Sequence, residues 1–257
     1  MSDSPVAIVT GGAQGIGAAV CIELLKNGYR VCIADIQESK AEEFSKEQQQ
    51  IYGKENVIAV GCDVSKKSDY TDLFEKTIEN FKRVDILVNN AGIVEEQSPR
   101  KCLEINLLGP TIGCHAALKY MGKSKGGNGG VVINTSSAAG LVPAAGAPAY
   151  AASKHGIIGL TRSFGHSSHY DKDGIIFAAV CPALVDTEIV KKGRKNRLNM
   201  ERESTSRIKF VSIESVAKAY LKVLEDKING SILLVVPNGY HYQNLDEKLM
   251  TLISGDE

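Results

Sequence analysis

The amino-terminal stretch to residue 35 constrains the fold more than any other part of the chain. Val6-Ala-Ile-Val-Thr10 is a short apolar run of the kind that forms a buried parallel strand. It leads into Gly11-Gly12-Ala13-Gln14-Gly15-Ile16-Gly17, and a helix-like stretch follows, ending near Lys26-Asn27-Gly28. Strand, glycine-rich turn and helix in that order make an anion site. Glycines let the backbone come close to a pyrophosphate, and the N–H groups of the first helical turn point at it. The spacing is Gly-x-x-x-Gly-x-Gly with no Gly-Lys-Ser/Thr after it, so this is not a nucleotide-hydrolase phosphate loop. A tight β-to-α turn without a ligand is the plainer alternative. The second strand, Tyr29-Arg-Val-Cys-Ile-Ala-Asp35, ends in a carboxylate about 20 residues after the glycines, as a dinucleotide site expects. Asp35 is placed to accept hydrogen bonds from both ribose hydroxyls of an adenosine and to repel a 2′-phosphate. With Gln14 and Ile36 as neighbours, neither position supplies a cation to offset that repulsion. The expectation is NAD rather than NADP, and the plainer alternative is an aspartate that caps the next helix.

The rest of the chain repeats the alternation. Strand-like runs near 5–10, 29–35, 56–61, 84–89, 130–135, 175–181 and 231–236 are separated by helix-length segments. That pattern predicts an α/β fold: a doubly wound parallel sheet of about seven strands with helices on both faces. No linker or internal repeat divides the sequence, so residues 1–257 are expected to form a single domain. The glycine cluster at 126–130 reads as a turn before the fifth strand.

Chemistry enters with Tyr150-Ala-Ala-Ser-Lys154. A free tyrosine, with a pKa of about 10, is a poor base at neutral pH. On a helix, residues i and i+4 share one face. An ammonium held there favours the phenolate and makes the tyrosine a usable acid/base. The spacing also arises by chance, as a half-buried tyrosine beside a solvated lysine.

Taken in order, these segments resemble the short-chain dehydrogenase/reductase family over about residues 5–240. Thr10-Gly11-x-x-x-Gly15-x-Gly17, Cys62-Asp63-Val64, Asn89-Asn90-Ala91-Gly92, Asn106, and the trio Ser137, Tyr150 and Lys154 all fall where that family has its motifs. Ser137 matches better than Ser136, because the family's serine lies thirteen residues before its tyrosine. The resemblance implies a Rossmann-type fold, bound NAD, and hydride transfer between the cofactor and a secondary alcohol or ketone. It assigns Asn106, Ser137, Tyr150 and Lys154 to catalysis, with Asn106 holding a water beside the lysine. It assigns Gly11, Gln14, Gly15, Ile16, Gly17, Asp35, Ile36, Cys62, Asp63, Val64, Asn90, Ala91, Gly92, Tyr150, Lys154, Pro182, Val185 and Thr187 to the cofactor. Segments such as Ser153-Lys154-His155-Gly156 and Gly239-Tyr-His-Tyr-Gln243 lean toward the NAD-dependent branch that oxidises 15-hydroxyprostaglandins. Steroid, retinoid and small-diol oxidation are alternatives, as is a cofactor-binding regulatory protein without turnover. Two positions depart from the family pattern and two more from that branch. Ala183 replaces the glycine after Pro182, Lys82 replaces a glycine before the fourth strand, and Gly146 and Ala147 stand where the prostaglandin branch has a glutamine pair.

Charge is balanced, with 30 basic and 30 acidic residues, which gives no reason to expect a nucleic-acid partner. The six cysteines are scattered, without a Cys-x-x-Cys pair, and read as reduced buried thiols. No apolar stretch is long enough to span a bilayer, and the chain enters a strand almost at once, so a cytoplasmic protein is expected. His166 and His169 are spaced to share a helix face, but no third ligand is near and no metal is expected. The segment 184–212 breaks the alternation and carries Lys191, Lys192, Arg194, Lys195 and Arg197. It reads as a solvated face or, by resemblance, as a lid over a small hydrophobic alcohol or ketone. Helices near 100–122 and 150–169 resemble those that pair across two-fold axes in the family, implying a homodimer or homotetramer.

Overall fold

The computed structural model describes residues 4–188, 196, 198 and 209–244. One sheet organises them, in the order β3-β2-β1-β4-β5-β6-β7-β8. The parallel strands are β1 (Val6–Thr10), β2 (Arg30–Asp35), β3 (Val57–Gly61), β4 (Ile86–Asn89), β5 (Gly130–Thr135), β6 (Ile175–Pro182) and β7 (Ile232–Val236). Every residue of β1, β2, β4 and β6 is buried, which explains their unbroken apolar runs: helices cover both faces. On one face lie α1 (Gly15–Lys26), α2 (Glu38–Tyr52) and α8 (Ile213–Asp226). On the other lie α3 (Lys67–Phe81), α5 (Gly109–Tyr120) and α6 (Pro148–Phe164). The short α4 (Pro99–Leu103) runs into α5 through a π-helical turn at Glu104–Leu108, and α7 (Ser167–Asp173) follows α6.

An eighth strand, β8 (Gly239–Tyr242), pairs antiparallel with β7, so the sheet has one strand more than the alternation predicted. Its side chains are only partly buried, and it carries no apolar run that would announce a strand. It exists because Pro237 and Asn238 turn the chain back along the edge of β7.

The strand order reverses between β1, which pairs with β2, and β4, which pairs with β5. At such a switch point the connections leave in opposite directions and open a crevice at the carboxyl ends of the strands. Thr10 fastens the two halves there. Its Oγ1 donates to the Val88 carbonyl at 3.3 Å and accepts from the Asn90 and Ala91 N–H groups at 3.0 and 3.2 Å. Lys82, the departure before β4, ends α3 in the left-handed region with φ +69°.

Candidate active site

A cleft of about 800 Å³ occupies this crevice. At one end, Asp35 Oδ2 accepts from the Ala13 N–H at 3.1 Å and Oδ1 from the Gln37 N–H at 3.0 Å. The aspartate therefore ties the glycine turn to the end of β2 and keeps lone pairs free for a ligand. It does not cap α2, whose N-cap is Gln37. Gly11, Gln14, Gly15 and Ile16 line the same end. Cys62, Asp63 and Val64 form one side and Ile36 the rim.

Gly17 is different: it does not line the cleft. A Cβ there would stand 2.1 Å from the Gly11 carbonyl oxygen, so its part is to let α1 pack against the turn. The Asp35 end also has a cation that no motif announces. Lys40 donates to Gln14 Oε1 at 3.4 Å, reaching across from α2.

Asn90, Ala91 and Gly92 line the middle of the cleft. The Asn90 side chain donates to the Thr10 and Gly11 carbonyls at 3.0 and 3.2 Å, so it braces the turn. Ser137, Tyr150 and Lys154 line the far end together. Pro148 opens α6, which puts Tyr150 in its first turn and Lys154 one turn later on the same face. The Lys154 ammonium stands 5.6 Å from the centre of the Tyr150 ring and donates to the Thr135 carbonyl at 2.8 Å. Burial lowers its pKa from 10.5 to about 8, so it is still mostly protonated at neutral pH.

The serine pair divides its work. Ser136 Oγ donates to the Lys154 carbonyl at 2.8 Å and is spent on holding α6 to β5. Ser137 Oγ accepts from the Ala139 N–H at 3.2 Å, and its residue faces the cleft. Asn106, expected to hold a water beside the lysine, sits behind the wall rather than in it. Its Nδ2 donates to the Ile93 carbonyl and its Oδ1 accepts from the Ile93 N–H, both at 2.8 Å. The side chain thus fixes the segment after Gly92. It does so from the π-helical turn, an irregularity frequent at functional sites.

A family model described as short chain dehydrogenase matches residues 5–198. The chain belongs to the short-chain dehydrogenase family. This dehydrogenase is 36% identical over 251 residues to 15-hydroxyprostaglandin dehydrogenase (NAD(+)) of Mus musculus, covering 94% of this chain and 93% of the relative. The Homo sapiens protein of the same name gives 36% over 251 residues and 94% of both chains. A 3beta-hydroxysteroid dehydrogenase 2 of Eggerthella lenta is 33% identical over 192 residues, 71% of this chain and 72% of the relative. Among solved structures, levodione reductase superposes with a TM-score of 0.79 at 25% identity, over 91% of this chain and 96% of that one. A Burkholderia phymatum family member in complex with NAD shares the fold, with a TM-score of 0.76 at 23% identity, over 90% of this chain and 89% of that one.

Pro182, Val185 and Thr187 of the dehydrogenase line the cleft beside Ala183. Ala183 costs no backbone strain, since it is not among the residues with positive φ, and its N–H donates to the Val235 carbonyl at 2.9 Å. Val185 pairs with Val211 in an isolated parallel bridge. Most of the segment expected to act as a lid, including Lys191, Lys192, Arg194, Lys195 and Arg197, lies outside the described residues. The apolar part of the lining includes Ile93, Val94, Pro143, Gly146, Ala147 and Leu184. Only Gly146 and Ala147 of these were singled out from sequence; the others carry no motif, and only the folded chain gathers them.

The histidines are otherwise employed. His166 caps α7, accepting from the Ser168 N–H at 3.3 Å, and His169 packs its ring 5.5 Å from that of Phe164. His155 bonds the Ala151 carbonyl through Nδ1 at 2.9 Å. All six cysteines are free and buried. Among the described residues no helix is long and apolar enough to cross a membrane.

Proposed function

We propose that this dehydrogenase uses NAD to interconvert a hydrophobic secondary alcohol and its ketone. One observation carries the reading: Ser137, Tyr150 and Lys154 converge on one end of a cleft whose other end holds the Asp35 carboxylate. The site suits a dinucleotide. Gly15 has no atom within 4 Å of where a Cβ would stand, leaving open space at the start of α1 for a pyrophosphate. In this reading Asp35 accepts from the ribose hydroxyls, Cys62, Asp63 and Val64 flank the adenine, and Pro182, Val185 and Thr187 hold the carboxamide. The bound nicotinamide supplies the hydride acceptor.

The chain's own residues manage the proton. Ser137 donates a hydrogen bond to the substrate oxygen and sets it against Tyr150. Tyr150, as phenolate, removes the hydroxyl proton during oxidation and returns it during reduction. Lys154 supplies the positive charge that favours the phenolate. Asn106 acts through Ile93, holding the backbone beside the lysine. The apolar wall takes the substrate's hydrocarbon portion.

Two kinds of relative bear on the substrate. Those named for 15-hydroxyprostaglandin favour a long-chain lipid alcohol, and the steroid dehydrogenase favours a 3β-hydroxysteroid. Small Gly146 and Ala147 leave this wall without a polar side chain to hold a substrate, which changes specificity more than reaction type. The test is NADH production with a panel holding a 15-hydroxyprostaglandin, a 3β-hydroxysteroid, a retinol and a small diol. Turnover of one supports the reading and names the class. NAD binding with no turnover of any would replace it with a cofactor-binding regulatory protein. We further propose a cytoplasmic, single-domain homodimer or homotetramer. The partly exposed Leu103 and Leu108 beside α5 offer apolar contact to a second copy. Light scattering that finds only monomer at micromolar concentration would count against it.

A further inference from the structure

The helix that carries Tyr150 has no cap of its own. Pro148 brings no N–H to its first turn, and the side chain of its N-cap residue, Ala147, accepts nothing. The first N–H groups of any helix lack partners within it. Here they are met from far away in sequence. Glu96 Oε2 accepts from the Ala149 N–H at 3.0 Å, and Oε1 accepts from the N–H of Tyr150 itself at 2.9 Å. Glu96 is only 6% exposed. A buried carboxylate is costly unless it is well hydrogen-bonded, so its place here calls for a reason.

Glu96 is itself held. Its N–H donates to the Asn196 carbonyl at 3.3 Å, and Asn196 Nδ2 donates to Glu95 Oε2 at 3.2 Å. Three residues back, Asn106 grips both main-chain groups of Ile93. The segment 93–96 is therefore fixed at both ends. It runs from the wall beside Lys154 to the start of α6. The anion also suits the positive end of the helix.

We propose that Glu96 is a positioning residue for Tyr150: its carboxylate sets the first turn of α6 and so aims the phenol at the substrate oxygen. The inference rests on the acid/base role read for Tyr150 above. Geometry of this kind matters because a misplacement of about 1 Å at a reacting group costs about a hundredfold in rate. Glutamine at position 96 keeps the outline but has one acceptor oxygen for two N–H donors. Alanine has none, and aspartate keeps the carboxylate on a shorter stem.

The test uses the full chain with Glu96→Gln, Glu96→Asp, Glu96→Ala, Tyr150→Phe and the double variant Glu96→Gln/Tyr150→Phe. It measures kcat and KM with the 15-hydroxyprostaglandin or the 3β-hydroxysteroid, whichever turns over faster, together with NAD affinity and melting temperature. Glu96→Gln should lower kcat by about tenfold, equivalent to about 1.4 kcal/mol, with KM for the alcohol and NAD affinity unchanged. Glu96→Ala should lose about a hundredfold, and Glu96→Asp should fall between wild type and Glu96→Ala. Glu96→Gln added to Tyr150→Phe should cost nothing more, because residues acting as one unit are not additive. Wild-type kcat in a folded Glu96→Gln variant would overturn the proposal, as would equal losses in kcat, NAD affinity and melting temperature. If Glu96→Ala fails to fold, the isosteric glutamine variant still decides. An active Tyr150→Phe would instead sink the reading of Tyr150, which keeps the two failures distinct.

Discussion

Asp35→Asn separates what the aspartate does for the protein from what it does for the cofactor. The carboxylate is 4% exposed and accepts from the Ala13 and Gln37 N–H groups. Asparagine keeps the shape and one acceptor oxygen, so one of these bonds survives. The other N–H then faces an amide NH₂, at a cost to stability of about 1–3 kcal/mol. The ribose hydroxyls lose a charged acceptor worth about 1.5–3 kcal/mol. In kcat/KM for NAD that is about ten- to a hundredfold or more. NADP moves the other way, because the variant no longer sets a carboxylate against the 2′-phosphate. Lys40, held at Gln14, is already in place as a counter-charge, although its exposure limits it through salt screening. The ratio of kcat/KM values for the two cofactors should therefore fall in Asp35→Asn by more than the NAD loss alone. Initial rates with one alcohol and varied NAD or NADP measure it. A ratio unchanged within about threefold, or equal use of both cofactors by the wild type, would refute the assignment of cofactor choice to Asp35.

Tyr150→Phe should nearly abolish turnover and leave NAD affinity almost unchanged; titration of bound NAD beside steady-state rates checks both, and more than about a tenth of the wild-type rate contradicts the acid/base role. Lys154→Met should stabilise the cofactor-free protein at neutral pH. The buried ammonium has its pKa lowered from 10.5 to about 8, so its cost is present in full below pH 8 and vanishes as pH rises through 10.5. That shift corresponds to about 3 kcal/mol, less about 1 kcal/mol for the lost bond to Thr135. Urea unfolding at neutral and alkaline pH reads it, and an advantage that grows with pH would contradict it. Lys82→Gly should raise stability by about 1 kcal/mol, since glycine holds a left-handed φ without Cβ conflict. That is roughly 2–4 °C in Tm by calorimetry, with unchanged turnover; no rise would mean that the Lys82 contact to the Glu79 carbonyl offsets the strain.

Features set by neighbours in sequence were legible before folding. A buried strand declares itself by an apolar run, the glycine turn by its spacing, and Tyr150 with Lys154 by the helical repeat. Seven strands could be read this way. The eighth could not, because β8 is half exposed and owes its form to the edge of β7. Glu96 was invisible for a related reason: a lone glutamate gives no local sign that it will meet a helix more than fifty residues on. Lys40 gives no local sign either, because it is a helix that brings the fifth residue after Asp35 back to the turn. Asn106 was recognised by its position in a motif, yet the partner that occupies it, Ile93, became apparent only in the fold.

The π-helical turn at Glu104–Leu108 makes the spacing between two regions of the dehydrogenase depend on a single residue. A π turn holds about one residue more than an α turn, which is how an insertion survives inside a helix. Removing one residue there would heal the backbone into ordinary α-helix. Because the wide turn takes up the extra residue, everything after it would keep nearly the same facing. Cys114 and Ala117 would stay sealed against the sheet. The change would fall on Asn106, which stands inside the turn and holds Ile93 from there. Chain length in this stretch is therefore set by the grip on the segment after Gly92 rather than by the seam between α5 and the sheet.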